Sequence, residues 1–208
     1  MPDTLPFHMR EAGLLSNDAE LLVAAFDSTL PYLQSIGGGE MWGQVPFSEK
    51  DGFVAETQES ITKSQSYRQT GVGDKVRVFI AEVEIGMDDE EPTTGSGAGA
   101  GAGVVLHTRV GADGRVWLAV AAACVREDWV PDYIRSQPHL KLQTVDEEGT
   151  TGGGFAYLEV MVADHRTGRH HRGAGAALLQ LLKQHYQNKG SRTMYVDAWA
   201  GNGRNLVK

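Results

Sequence analysis

The hydrophobic and polar residues of this chain alternate in blocks that predict an ordered series of strands and helices. Apolar residues recur at helical spacing in three segments, which we predict to be helices: 16–39, 52–67 and 173–190. Alternation and β-rich composition predict strands in six other segments: 6–11, 75–85, 104–110, 115–125, 155–162 and 191–200. This order of strand, two helices, several strands, helix and strand predicts a mixed α/β domain.

Two polar segments interrupt the pattern. Residues 87–103 are an acidic run followed by a Gly/Ala tract, and residues 146–154 are a second acidic and glycine-rich stretch. Neither has enough apolar surface to bury, so both are predicted to be flexible insertions. The sequence contains no internal repeat, and residues 1–208 are predicted to form a single domain.

The segment 155–162 is predicted to be a central strand, whose side chains should alternate between two faces. One predicted face carries Ala156, Leu158, Val160 and Val162, and the other carries Tyr157, Glu159 and Met161. The only carboxylate of the segment is therefore expected to share a face with a tyrosine and a methionine.

Composition and charge exclude several classes of function. The net charge of -8 argues against general nucleic-acid binding, which needs a basic surface. No apolar run is long enough to span a bilayer, and the N-terminus lacks the apolar core of a signal peptide. The single cysteine, Cys124, cannot form an internal disulfide, and the histidines lack metal-ligand spacing. We predict a cytoplasmic protein with no metal and no nucleic-acid or membrane partner.

A glycine-rich turn before the last predicted helix suggests an anion site. It reads HHRGAG, from His170 to Gly175, and the N–H groups of a first helical turn can bind phosphate. A P-loop would need Lys and Ser or Thr where Ala176 and Ala177 stand. A dinucleotide fingerprint would need a third glycine where Leu178 stands. Neither of these two nucleotide-binding motifs fits the turn.

The turn resembles motif A of the GCN5-related N-acetyltransferase (GNAT) superfamily, in which a central strand ends in Q/R-x-x-G-x-G/A at a helix N-terminus. His170 stands here at the Gln/Arg position. The resemblance extends over nearly the whole chain, although only residues 157–202 carry specific signal. It implies a mixed, mostly antiparallel sheet flanked by helices.

The resemblance also implies acetyl-CoA as the co-substrate. Backbone N–H groups of the turn would hold the pyrophosphate, and the backbone of Met161 and Val162 would pair with the pantetheine amides. The residues assigned to acetyl-CoA in this way are Met161, Val162, His170, His171, Arg172, Gly173, Ala174, Gly175 and Asn202.

Transfer of acetyl to an amine needs a base, because most amines are protonated at neutral pH. Glu159 matches the position of a strand-borne glutamate that serves as base in some GNAT relatives; an ordinary carboxylate on a half-exposed strand is the equal alternative. Trp42, in the loop between the first two helices, and Tyr157 are expected to contact the acceptor. Anchoring of that loop is the alternative role for Trp42.

We therefore predict an N-acetyltransferase that moves acetyl directly from acetyl-CoA to a primary amine of a small molecule. The alternatives are a protein or peptide N-acetyltransferase and a non-catalytic acyl-CoA-binding module. Measured against the GNAT pattern, the chain is expected to be incomplete at its C-terminus and to lack the last helix and two strands. The strand edge that this would leave unpaired predicts association as a homodimer.

Overall fold

The computed structural model describes residues 7–86, 105–140, 142 and 154–198. The predicted insertion at 87–103 lies outside these residues, as does that at 146–154 except for Gly154. Asn202 also lies outside them. Within the described residues, no helix is both long and apolar enough to cross a membrane.

Within the described ranges, six strands form one mixed sheet. The strands are β1 (Phe7–Glu11), β2 (Val76–Ile85), β3 (Thr108–Val110), β4 (Val116–Glu127), β5 (Phe155–Ala163) and β6 (Thr193–Val196). Their order is β1-β2-β4-β5-β6, with β3 paired to β4. All pairings are antiparallel except that of β5 with β6, which is parallel. The prediction of a mixed, mostly antiparallel sheet is confirmed.

Helices cover both faces of the sheet. The helices are α1 (Asp18–Ser35), α2 (Phe53–Thr70), the single turn α3 (Asp132–Arg135) and α4 (Ala174–Asn188). Leu21 of α1 and Ile61 of α2 are buried against β2 in one core cluster. On the opposite face, Leu178 and Leu182 of α4 are fully buried against β4 and β5. The predicted leucine stripe of the last helix thus packs on the sheet through these two residues.

A β-bulge at Glu159 overturns the predicted alternation along β5. The β4 partners of Leu158 and Val160 are adjacent residues, so Glu159 between them has no β4 partner. One extra residue moves every later side chain to the other face. Ala156 and Leu158 pack toward α4, whereas Val160 and Val162 pack toward α1 and α2. The prediction that these four side chains share one face is wrong.

A buried ion cluster joins three strands to the start of α1. Glu82 of β2 is 1% exposed and accepts hydrogen bonds from Arg10 of β1 and Arg109 of β3, at 2.5 and 2.8 Å from Oε1. A second Arg109 nitrogen lies 2.5 Å from Oε2. Arg10 also donates to both carboxylate oxygens of Asp18, at 2.6 and 2.7 Å. Both oxygens of Glu82 are therefore committed to arginine partners.

Candidate functional site

β5 and β6 separate next to the bulge, which leaves one edge of β5 open. Their pairing ends at Leu158 opposite Val196. Residues 160–163 pair with β4 on one side and, among the described residues, with no strand on the other. Unpaired N–H and C=O groups on such an edge can hydrogen-bond an extended ligand as an added strand. Met161 and Val162, the residues assigned to pantetheine, both lie on this open edge.

Met161 faces α4 and not the side of Glu159. Its side chain belongs to the cluster that β5 forms with α4. The predicted common face of Met161 and Glu159 is wrong, because the bulge reverses the alternation between them. The methionine therefore connects the open edge of β5 to the first turn of α4.

A short segment of 3-10 turns, His165–His171, carries the chain from β5 to α4 and is kinked at Gly168, where φ is 57°. Asp164 fixes its beginning: this fully buried carboxylate accepts hydrogen bonds from the backbone and guanidinium nitrogens of Arg166 at 2.6–3.1 Å. The carbonyl oxygen of Asp164 accepts a further bond from the Thr167 hydroxyl at 2.7 Å. These bonds, together with that from the His165 N–H to the Ser28 hydroxyl of α1 at 3.0 Å, hold the turn and bring the start of α4 beside β5.

The first turn of α4 carries unsatisfied donors. Gly173 is its N-cap, with φ 80°, and supplies no capping side chain. Within the described residues, the N–H groups of Ala174, Gly175 and Ala176 have no hydrogen-bond acceptor. A Cβ on Gly175 would lie 3.7 Å from the Met161 side chain, so these donors adjoin β5. Free N–H groups at the positive end of a 15-residue helix can bind an anion.

The basic residues of the turn differ in what they can offer an anion. Arg169 and Arg172 are exposed, whereas His170 is half-buried. The His171 ring packs on His165 at 4.6 Å between centroids, and burial lowers the pKa of His171. The neutral imidazole is therefore favoured, and it adds no charge. Positive charge near the helix start comes from the two arginines.

Glu159 stands on the face of α1 and α2, with one carboxylate oxygen unused. Arg126 of β4 donates from Nε to Oε2 at 2.8 Å, and the Cys124 thiol donates to the same oxygen at 3.3 Å. Burial raises the pKa of Cys124, and the charge of Glu159 adds to that rise, so the thiol stays protonated. In the described part of the chain, Oε1 of Glu159 has no protein partner.

Glu159 also lines a cavity of about 540 Å³ between the sheet and the first two helices. Its apolar lining includes Leu22, Phe26, Trp42, Phe53, Val78 and Val160. Its charged lining consists of Glu56, Glu59, Lys63, Arg126 and Glu159. Sequence reasoning named Trp42 and Glu159 but missed Arg126. Arg126 could have been placed beside the cavity from its position two residues after Cys124, because alternate residues of a strand lie on the same face.

Tyr157 does not line this cavity. It is 2% exposed and donates its hydroxyl proton to Asp197 at 2.6 Å. The Tyr133 hydroxyl donates to the other oxygen of Asp197 at 2.7 Å. Burial, followed by the bond to Asp197, raises the pKa of Tyr157. Tyr157 thus lies outside the cavity that Trp42 and Glu159 line. The contacts of Asp197 were missed because its partners lie far away in sequence.

No group of His, Cys, Asp or Glu side chains within the described residues is arranged to hold a metal ion. No protein-family model matches the sequence, and no curated protein matches it.

Solved structures that resemble this one in fold include three acetyltransferases. A possible acetyltransferase from Clostridium difficile is 12% identical, with 94% of this chain and 82% of that chain covered and a TM-score of 0.47. A GNAT family acetyltransferase from Staphylococcus aureus is 7% identical, with 98% and 93% covered and a TM-score of 0.43. An aminoglycoside N-acetyltransferase in complex with CoA is 15% identical, with 98% and 84% covered and a TM-score of 0.43.

Proposed function

We propose that this chain is a GNAT-type N-acetyltransferase that transfers the acetyl group of acetyl-CoA to a primary amine. The observation that carries the proposal is the open edge of β5 beside the free N–H groups of α4. An acyl-CoA needs both features, because its pantetheine arm carries amides and its pyrophosphate carries negative charge. The two features meet at Met161 and Gly175.

In the proposed complex, the pyrophosphate accepts hydrogen bonds from Ala174, Gly175 and Ala176, with Arg169 and Arg172 as the nearby cations. The pantetheine arm extends along the backbone of Met161 and Val162 as an added strand. The thioester then lies near the bulge, between the open edge and the cavity that Glu159 lines. Acetyl-CoA and acceptor would thus reach the reacting centre from opposite sides.

The proposed reaction is direct. The amine nitrogen attacks the thioester carbonyl carbon, and Oε1 of Glu159 takes the proton that leaves nitrogen, directly or through one water. We assign the oxyanion to a backbone N–H group on the open edge of β5 next to the bulge. The carbon–sulfur bond then breaks, and the CoA thiolate leaves and takes up a proton. Arg126 holds Oε2 and so keeps Oε1 turned to the reactants.

A matched pair of variants at Gly173 tests the cofactor site. Asp and Asn have the same shape, and both tolerate the left-handed backbone of this position. Gly173→Asp places a carboxylate beside the bound pyrophosphate, so we expect acetyl-CoA affinity to fall by about tenfold or more relative to Gly173→Asn. Calorimetric titration with acetyl-CoA measures the difference. Equal affinities for the two variants would contradict the proposed cofactor site.

A further inference from the structure

The lining of the cavity beside Glu159 indicates what kind of amine it accepts. We propose, on the basis of the proposed function, that the acceptor is a monoamine with an apolar aliphatic or aromatic body. The body would lie on the aromatic wall of the cavity, which Phe26, Trp42 and Phe53 form, and the amine would point to Glu159. Sugars with several hydroxyl groups and polyamines would be poor substrates.

The aromatic wall is a preformed surface. The rings of Phe26 and Trp42 are 5.4 Å apart between centroids, and those of Phe26 and Phe53 are 5.1 Å apart. Phe47 supports Trp42 from the core at 5.5 Å, and the Lys50 ammonium donates to the Trp42 carbonyl oxygen at 3.0 Å. Because the rings are already fixed, little conformational entropy is lost when an apolar body packs on them.

The charged groups of the lining are mostly paired with one another. Lys63 bonds both Glu59 and Asp74 at 2.9 Å, and Arg126 bonds Glu159. In the described part of the chain, Glu56 is the cavity carboxylate without an ion-pair partner, and it is exposed. Glu56 could pair with one additional ammonium group of a polyamine, and any further ammonium groups would stay unpaired.

Hydrogen-bonding groups for a hydroxylated acceptor are also few. The lining carries two hydroxyl groups, those of Thr57 and Ser60, and the Thr57 hydroxyl already donates to the Phe53 carbonyl oxygen at 2.8 Å. Hydroxyl groups packed against Leu22, Phe26 and Val160 would lose their bonds to water without replacement, which is costly. A cavity of about 540 Å³ has the size of small-ligand sites, so one ring or a short alkyl chain fits.

The test is a series of amines with increasing apolar body: methylamine, butylamine, hexylamine and phenethylamine. Glucosamine and spermidine serve as polar comparisons. With saturating acetyl-CoA, we expect kcat/KM to rise by up to about fourfold per added methylene and to be lowest for the two polar amines. A flat series, or glucosamine or spermidine as the best acceptor, would overturn the inference.

Variants at Trp42 test whether this side chain binds the apolar body of the amine. Trp42→Ala should raise KM for hexylamine by about tenfold while leaving methylamine nearly unchanged, and Trp42→Phe should restore most of the loss. Val72→Ala removes an exposed apolar side chain just after α2, outside the cavity lining, and should change neither amine. Equal losses for both amines in Trp42→Ala would contradict a wall that binds the apolar body.

Two readouts separate failure of this inference from failure of the proposed function. Calorimetry with acetyl-CoA alone reports on the cofactor site, and calorimetry with hexylamine alone reports on the cavity. If acetyl-CoA binds and glucosamine is acetylated best, only the inference fails. If acetyl-CoA does not bind but hexylamine still binds more tightly than glucosamine, the proposed function fails and the assignment of the cavity stands.

Discussion

Glu82 and Glu159 are both strand carboxylates held by arginines, yet their surroundings differ in every respect that matters for chemistry. Glu82 is 1% exposed, and both of its oxygens accept bonds from Arg10 or Arg109. The Glu159 side chain is 32% exposed, and its protein partners all bond one oxygen. A carboxylate with both oxygens satisfied holds strands together, whereas one with a free oxygen beside a cavity can exchange a proton with a ligand.

The largest expected effect is on stability at Glu82. Glu82→Gln removes the counter-charge of Arg109 and one of the two carboxylates that Arg10 binds, so we expect a loss of about 3–5 kcal/mol in the free energy of unfolding. Urea denaturation measures it. Glu159→Gln is the matched control and should cost less than about 1 kcal/mol, because that pair is partly solvated. Similar losses at the two sites would contradict the comparison.

The reverse order is expected for turnover. Glu159→Gln should lower kcat by about 100-fold or more, while acetyl-CoA affinity stays within about twofold. The loss should shrink as pH rises, because more of the amine is then already deprotonated. Initial rates of CoA release across a pH series measure it. A variant with unchanged rates at every pH would assign Glu159 to structure alone.

A smaller effect is expected in the pH dependence of stability. Burial by itself raises the pKa of Glu82, but hydrogen bonds and charge from Arg109 and Arg10 outweigh it, and the net pKa lies below the ordinary value. A lowered pKa contributes stability above the pKa of the unfolded chain, about 4.3, and this contribution is lost as pH falls through the folded pKa. Unfolding free energies measured at decreasing pH should therefore fall more steeply for the parent chain than for Glu82→Gln. Parallel curves would contradict this assignment.

The smallest expected effect is that of removing the arginine from the second pair. Arg126→Gln should change the free energy of unfolding by less than about 1 kcal/mol, since Arg126 and Glu159 are both partly exposed. Arg109→Gln should lower the free energy of unfolding by more, because it leaves the buried Glu82 carboxylate with one arginine partner instead of two. Urea denaturation of the two variants compares how much each arginine contributes to stability at Glu82 and at Glu159.

The elements of the fold were predictable where the pattern is local. Periodicity predicted strand β5 and helix α4, and the glycines before α4 predicted a helix start without a capping side chain at Gly173. The bulge at Glu159 was not predictable, because apolar residues occupy both faces of β5 and a shift by one residue leaves the composition of the segment unchanged.

Contacts between distant segments were equally beyond the sequence pattern. The bond from Tyr157 to Asp197 joins residues 40 positions apart, and that from Arg10 to Glu82 joins residues 72 positions apart. Such pairs depend on the order of strands in the sheet, which periodicity does not specify. The same limit explains why Tyr157, which was assigned to the acceptor together with Trp42, lies outside the cavity that Trp42 lines.

Amide hydrogen exchange with and without acetyl-CoA tests the central claim most directly, because it compares the two regions in one experiment. The proposed complex predicts slower exchange in residues 160–163, on the open edge of β5, and at Ala174, Gly175 and Ala176. It predicts no change around Glu82 beyond any global stabilisation. Protection confined to other segments, or none with the ligand at saturation, would contradict the placement of acetyl-CoA between β5 and α4.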